Sequence, residues 1–290
     1  MLTRDNSMYK KMIMTKLQGI NEIPTMLTVA TEIDRLTNDP NSSAEGVSNV
    51  IKNDPALTAK VLKIANSALF AGTQRIVSLN QAVARLGYGE IRRVTIAIAF
   101  LNSFKSLFVD YEKFWIHSIT TAYIAQKLNE LSKTNMPSDR LFTGALLHDI
   151  GILILDQYFT TIYKKIFDMS INKKYDLSIV EQKILGITHA EVGALLLKKW
   201  NVPDQITDII YYHHQPQNSK IAQRDTKIVY LANFIANNRG YDNGTGTFHE
   251  QFYDDIWMEL RLSVEQVPEI IESVQNDVEK AKQLLKLGGK

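Results

Sequence analysis

Five of the six histidines fall between positions 117 and 214: His117, His148, His189, His213 and His214, with His249 beyond them. Asp149 follows His148 directly, inside the apolar run "LLHDIGILILD" at 146–156. Imidazole nitrogens suit iron, manganese and zinc, and an aspartate adds a hard oxygen ligand able to bridge two ions. A centre of that kind lowers the pKa of a coordinated water and holds a phosphate oxygen, which is the chemistry of metal-assisted phosphoester hydrolysis.

Taken singly, each residue also has an ordinary structural explanation. His117, two residues after Trp115, fits a packed core histidine, and His189 sits at the first helical position after Thr188, where a polar residue is commonplace. His213 and His214 close a helix, where the dipole favours a cationic ring. Being adjacent, they point about 100° apart on a regular helix, so sharing one ion requires distortion. His249 falls in the polar loop "YDNGTGTFHE" and reads as surface.

The elements that must position these residues are helical. Residues 25–38 place Met26, Val29, Ala30, Ile33 and Leu36 at helical spacing. Ser42 and Glu45 have the spacing of a capping box, and Asp54–Pro55 reads as an N-cap followed by proline at the first helical position. Ser78 opens a helix that stops at Gly87, and "EIRRVTIAIAFLNSF" continues as helix. From Lys113 to Leu131 the pattern puts Trp115, Ile119, Ala122, Ile124 and Leu128 inward. Thr188 and Glu191 form a second capping-box spacing, Pro203 starts a helix that ends before Pro216, and an amphipathic helix runs from Pro268. No hairpin signal precedes residue 240, so the expected class is all-α.

Composition narrows the setting. The chain has 290 residues, 45% hydrophobic and 22% charged, an ordinary globular balance. Its 33 basic and 31 acidic residues leave a net charge of +2, which gives no case for nucleic acid or an anionic membrane as partner. The lysine pairs at 10–11, 164–165, 173–174 and 198–199, like Arg92–Arg93, read as solvated surface. Cysteine is absent, which excludes disulfides and thiolate chemistry. The amino terminus lacks a signal-peptide core, and no apolar run reaches the ~18 residues of a membrane span. A cytoplasmic location is expected.

Residues 20–216 resemble the HDOD family, a bacterial signalling domain related to the HD and HD-GYP phosphohydrolases. The motifs, in family order, are "IPTMLTVATEI", "VIKNDPALTAKVLKIANSALF", "SLNQAVARLGYGEIRRV", "FWIHSITTAYIAQKL", "LFTGALLHDIGILIL", "HAEVGALLLKKWNVPDQI" and "YYHHQP". The resemblance implies an amino-terminal helical bundle packed on an HD-like helical bundle. Expected boundaries are an amino-terminal segment at 1–19, an HDOD domain at 20–240 (helical subdomain 20–105, HD-like subdomain 106–240) and a carboxy-terminal helical extension at 241–290. In order, His117, His148 with Asp149, His189, and His213 with His214 match the metal ligands of the HD-GYP enzymes, which implies a divalent ion, iron or manganese rather than zinc.

The departures from that pattern bear on activity. Where those enzymes carry a glutamate one turn before the first histidine, this chain has Lys113, a cation that would repel a second ion. Their phosphate-contacting lysine is Ile152 here, and their late aspartate corresponds to Asn233. The Gly-Tyr-Pro segment is missing after "HHQP". The resemblance so modified implies a non-catalytic regulatory protein acting through signalling partners. One alternative is a metal-dependent phosphohydrolase of nucleotides or cyclic dinucleotides, with Asp149 as its catalytic residue. The other is a nucleotide or small-ligand sensor without turnover.

Overall fold

The computed structural model describes residues 3–20, 32–33, 35–36, 43–66, 75–101, 104–132, 139–245 and 254–288. Among these residues the protein is built from helices and turns with no strand. The chain divides into a larger unit, Met1–Asn21 with Lys105–Val278, and a smaller one, Glu22–Phe104 with Glu279–Lys290.

In the smaller unit, α2 (Ala44–Lys52), α3 (Pro55–Ala65) and α4 (Leu79–Leu101) pack on one another. Their core includes Val47, Ile51, Leu57, Val61, Ile64, Val83, Ile91 and Val94. The expected helix at 25–38 lies largely outside the described residues; 32–33 and 35–36 are helical, and Ile33 is buried. The N-cap of α2 is Ser43, whose hydroxyl accepts from the Gly46 amide. The Ser42 position lies outside the described residues. Asp54 caps α3 as its spacing suggests, accepting from the Leu57 amide ahead of Pro55. Gly87, at φ 76°, interrupts α4 where the helix is expected to stop, and helix resumes beyond it. Asn66 fixes the return of the chain: its amide donates to the Ile76 carbonyl at 2.7 Å and accepts from the Ile76 amide at 2.8 Å. The arginine pair is not solvated as a unit, because Arg92 is 5% exposed while Arg93 pairs with Glu90 at 2.6 Å.

The larger unit carries α1 (Thr3–Gly19), α5 (Tyr111–Leu131), α6 (Asp139–Leu147), α7 (Ile150–Lys173), α8 (Leu177–Leu185), α9 (His189–Lys199), α10 (Asp204–Tyr212), α11 (Gln223–Asn238) and α12 (Asp254–Glu259). The last helix, α13 (Val267–Gly288), belongs to this unit as far as Val278. Helix α5 packs on α6 and α11, α7 on α9, and α9 on α10, while α1 lies against α8. Trp115, Ile119, Ala122, Ile124 and Leu128 all turn inward from α5, and the lysine pairs are exposed. Burial of side chains of this size contributes roughly 1.5–3 kcal/mol each.

Two features of α7 set the geometry of the site. Gly151 has no room for a side chain: an added Cβ would lie 1.9 Å from the His189 carbonyl oxygen. Gly193 faces the same contact, with a Cβ position 3.1 Å from the Gly151 nitrogen. The two glycines let the first turns of α7 and α9 touch backbone to backbone, which brings Asp149 and His189 together. Asp156, one turn further on, is fully buried; its Oδ2 accepts from the Leu107 amide at 2.7 Å and the Ser106 hydroxyl at 3.0 Å, pinning the chain ahead of α5.

Candidate metal centre

Asp149 lies in the turn between α6 and α7, 1% exposed, and histidines from that turn and from three other places in the chain surround it. Its Oδ2 is 3.2 Å from His148 Nε2 and 3.5 Å from His117 Nε2. Its Oδ1 is 3.3 Å from His189 Nε2 and 3.4 Å from His213 Nε2. His214 joins through His189, with the two Nε2 atoms 3.0 Å apart. All six residues singled out by sequence therefore converge. They form two overlapping groups, Asp149–His189–His213–His214 and His117–His148–Asp149, with potential ligand atoms in each within 4.8 Å of one another. His249 lies outside the described residues.

Each histidine arrives by a local device. His117 projects from α5, whose N-cap Asp110 accepts from the Lys113 amide. His189 is the first residue of α9, placed by a complete capping box in which Thr188 accepts from the Glu191 amide and Glu191 accepts from the Thr188 amide. Replacement of such a cap costs about 1 kcal/mol. His213 and His214 follow Tyr212, the last residue of α10, and His213 keeps helical φ −62° and ψ −20° at the C-cap, yet the two rings come together. Their ring centroids are 4.0 Å apart and both belong to the same group of potential ligands.

The other ring nitrogens decide what the cluster can hold. His117 Nδ1 meets the Tyr241 carbonyl at 2.6 Å, His148 Nδ1 the Ala145 carbonyl at 2.7 Å, and His213 Nδ1 the Ile210 carbonyl at 2.7 Å. A carbonyl only accepts, so each Nδ1 carries a proton, and a neutral ring in this tautomer turns an Nε2 lone pair toward Asp149. His117 and His148 thus face each other through Nε2 at 3.2 Å, and His213 Nε2 is buried without a hydrogen-bond partner. Convergent lone pairs around a carboxylate are mutually repulsive without a cation among them. The donor set fits a divalent ion.

Burial and the neighbouring His148 hold His117 down to about 4, and burial with His214 keeps His213 well below the usual imidazole range. Burial alone would raise Asp149, but the surrounding histidines, His148 foremost with His189 and His213, hold it well below the usual carboxylate range. His189 behaves differently. Against burial, Glu181 and Asp149 raise it to about 10. Glu181 Oε2 accepts from both the His189 amide and Nδ1, each at 2.8 Å, while Oε1 accepts from the Tyr163 hydroxyl at 2.6 Å. Tyr163 and Glu181 are fully buried.

Two further residues reach the cluster from the turn after α11. Asn243 Nδ2 donates to Asp149 Oδ2 at 2.6 Å, and Tyr241 supplies the carbonyl that orients His117. The sequence gives no sign of either beyond a polar Asn-Gly segment. Lys113, expected to face the ions, is exposed, and its carbon chain lies 3.9 Å from the Cβ position of Gly244.

A narrow cavity reaches Asp149, His189 and His214 past Ile152, Asp176, Asn233 and Asn243. It leaves about 20 Å³ in which the centre of a water molecule can move, room for water or an ion. Its lining includes Asp176 and no lysine or arginine. No helix among the described residues is long and apolar enough to cross a membrane.

Comparison with known proteins follows the same outline. A Treponema pallidum (strain Nichols) protein described as uncharacterized is 23% identical over 195 residues, 67% of this chain, and the chain spans only 38% of that protein's length. An HDOD domain protein of unknown function from Geobacter sulfurreducens superposes with a TM-score of 0.78 at 22% identity, covering 97% of this chain and 98% of the other. A provisionally named signal transduction protein from Marinobacter aquaeolei VT8 gives 0.76 at 23% identity, covering 92% of this chain and 60% of the other. A provisionally named phosphohydrolase from Shewanella amazonensis SB2B gives 0.73 at 22%, covering 94% and 97%. These structures share the helical fold, and the HDOD domain itself matches residues 23–216, so the chain belongs to the HDOD family.

Proposed function

We propose that this is an HDOD-type signalling protein that holds a divalent ion in the buried histidine–aspartate cluster and acts through protein partners, without turning over a phosphoester. His117, His148, Asp149, His189, His213 and His214 are the ligand candidates, and the imidazole-rich set with a hard carboxylate suits iron or manganese better than a tetrahedral zinc site. When bound, the ion would supply Lewis acidity. The chain's own residues would orient the ligands and exclude solvent, a reading supported by the burial of Asp149 and the four Nδ1 contacts.

The observation that carries the non-catalytic reading is the cavity that reaches Asp149. Ile152 and Asn233 line it, Asp176 adds an acid, and no lysine or arginine lines it to receive phosphate charge. Phosphoryl chemistry depends on such charge stabilisation, and loss of a single preorganised group commonly costs 10²–10³ in rate. The test is an assay of purified protein loaded with iron(II) or manganese against nucleotides and cyclic dinucleotides. No turnover is expected; hydrolysis that disappears in His148→Ala would overturn the reading.

A second reading, a metal-dependent phosphohydrolase with Asp149 as the catalytic residue, draws on one observation: the whole ligand set still converges in space. A third, a nucleotide or small-ligand sensor, is separated from the first by a ligand-induced rise in unfolding temperature. The proposed organisation keeps an HDOD domain at 20–240, flanked by an amino-terminal segment and a carboxy-terminal extension. The proposed setting is the cytoplasm, with neither nucleic acid nor membrane as partner.

A further inference from the structure

We propose that Asn243 sets the number of ions the cluster holds, closing the His117–His148 half and leaving the His189–His213–His214 half for a single ion. The proposal rests on reading the cluster as an ion site. Its basis is the turn that follows α11, which Asp149 meets 94 residues later in the sequence.

That turn is held at every residue. The Tyr241 amide donates to the Ala236 carbonyl at 3.0 Å, and its carbonyl accepts from His117 Nδ1. Asp242 Oδ1 accepts from the Gly244 amide at 2.9 Å, and Gly244 adopts φ 81°, a conformation open to glycine. Asn243 and Thr245 are 7% and 3% exposed.

The orientation of the Asn243 amide follows from its partners. Its Oδ1 accepts from the Thr245 backbone amide at 3.1 Å, a group that only donates, and meets the Thr245 hydroxyl at 2.6 Å. Nδ2 must therefore be the atom 2.6 Å from Asp149 Oδ2. A donor with no available lone pair thus occupies the approach to the carboxylate oxygen that faces His117 and His148. An ion in that half would need this oxygen and has only three protein ligands there, whereas the other half offers four. Access agrees: His189 and His214 line the cavity, while His117 and His148 do not.

Asparagine and aspartate have nearly the same shape but opposite roles at this position. Aspartate would replace a donor by a charged ligand, completing the His117–His148 half at the cost of like-charge repulsion when no ion is bound. The experiment is equilibrium dialysis against manganese, with ion content measured by mass spectrometry, on wild type, N243D, N243A and H117A. Far-UV circular dichroism and unfolding midpoints report the folding of each.

The proposal expects about one ion per chain in wild type and in H117A, and about two in N243D. N243A should take any second ion at least ~10-fold more weakly than N243D. Two ions in wild type, or no gain over wild type in a folded N243D, would overturn it. Should N243D not fold, H117A decides: retention of the wild-type ion supports the proposal, and its loss sinks it. A wild type with no ion defeats the resident-metal reading alone, because uptake of one ion by N243D would still show the Asn243 effect. No uptake by either would end both.

Discussion

Glu181 holds His189 at two points, accepting from its backbone amide and from Nδ1 with the same oxygen, Oε2, at 2.8 Å each. One carboxylate thus fixes the start of α9 and the orientation of the ring that faces Asp149. Tyr163, donating to the other oxygen at 2.6 Å, keeps that carboxylate in place. Carboxylate–histidine pairs behind a metal ligand raise its basicity, and their loss typically costs 10–100-fold in metal affinity.

Glu181→Gln should therefore weaken manganese binding about 10–100-fold while the helices remain folded. Isothermal titration measures the affinity, and circular dichroism the fold. Tyr163→Phe should cost about 1–3 kcal/mol in urea unfolding, because it strands a buried carboxylate oxygen. An unchanged ion affinity in Glu181→Gln would show that the carboxylate only supports the helix.

Gly151→Ala should be among the most damaging single-methyl changes in the chain. The new Cβ meets the His189 carbonyl oxygen at 1.9 Å and its carbon at 2.6 Å, both backbone atoms that cannot turn aside. A loss of about 3 kcal/mol or more is expected, with α7 and α9 forced apart and ion binding reduced. Chemical denaturation is the direct check.

The metal-free protein should be most stable near pH 6.5. In the unfolded chain His117 and His213 take up protons near the ordinary value of 6.5, while the folded state keeps His117 neutral to about 4 and His213 to well below that range. Stability therefore falls as pH drops below about 6.5. The folded state retains the His189 proton to about 10, so its contribution is complete below 6.5 and is lost as pH rises through about 10. Asp149, held well below 3.8, adds a loss only in stronger acid. Unfolding midpoints across pH 5 to 9 should give a dome whose alkaline side flattens in His189→Ala; a dome unaltered by that change would contradict the assignment.

The helices around the site are legible in the sequence because their signals are local. Thr188 and Glu191 announce α9, Asp54–Pro55 announces α3, and the inward stripe of α5 follows its period. The ligand set is legible through its spacing and its resemblance to the HDOD family. Glu181 is not: eight residues before His189 and on a separate helix, it looks like any charged position. Asn243 and Tyr241 lie in a turn with no period, and their partners are 94 and 124 residues away. The His213–His214 pair departs from the helical expectation, because the two rings meet with centroids 4.0 Å apart although His213 keeps helical φ/ψ. Arg92 carries a charge into a buried position that composition alone would place in solvent.

The central claim is that the lone pairs converging on Asp149 hold a resident ion. The most direct test is the metal content of protein prepared without chelator or histidine tag, with iron and manganese supplied under anaerobic conditions. About one ion per chain, lost in His189→Ala, is the predicted result. A folded protein that remains empty after loading with iron, manganese and zinc in turn would contradict it.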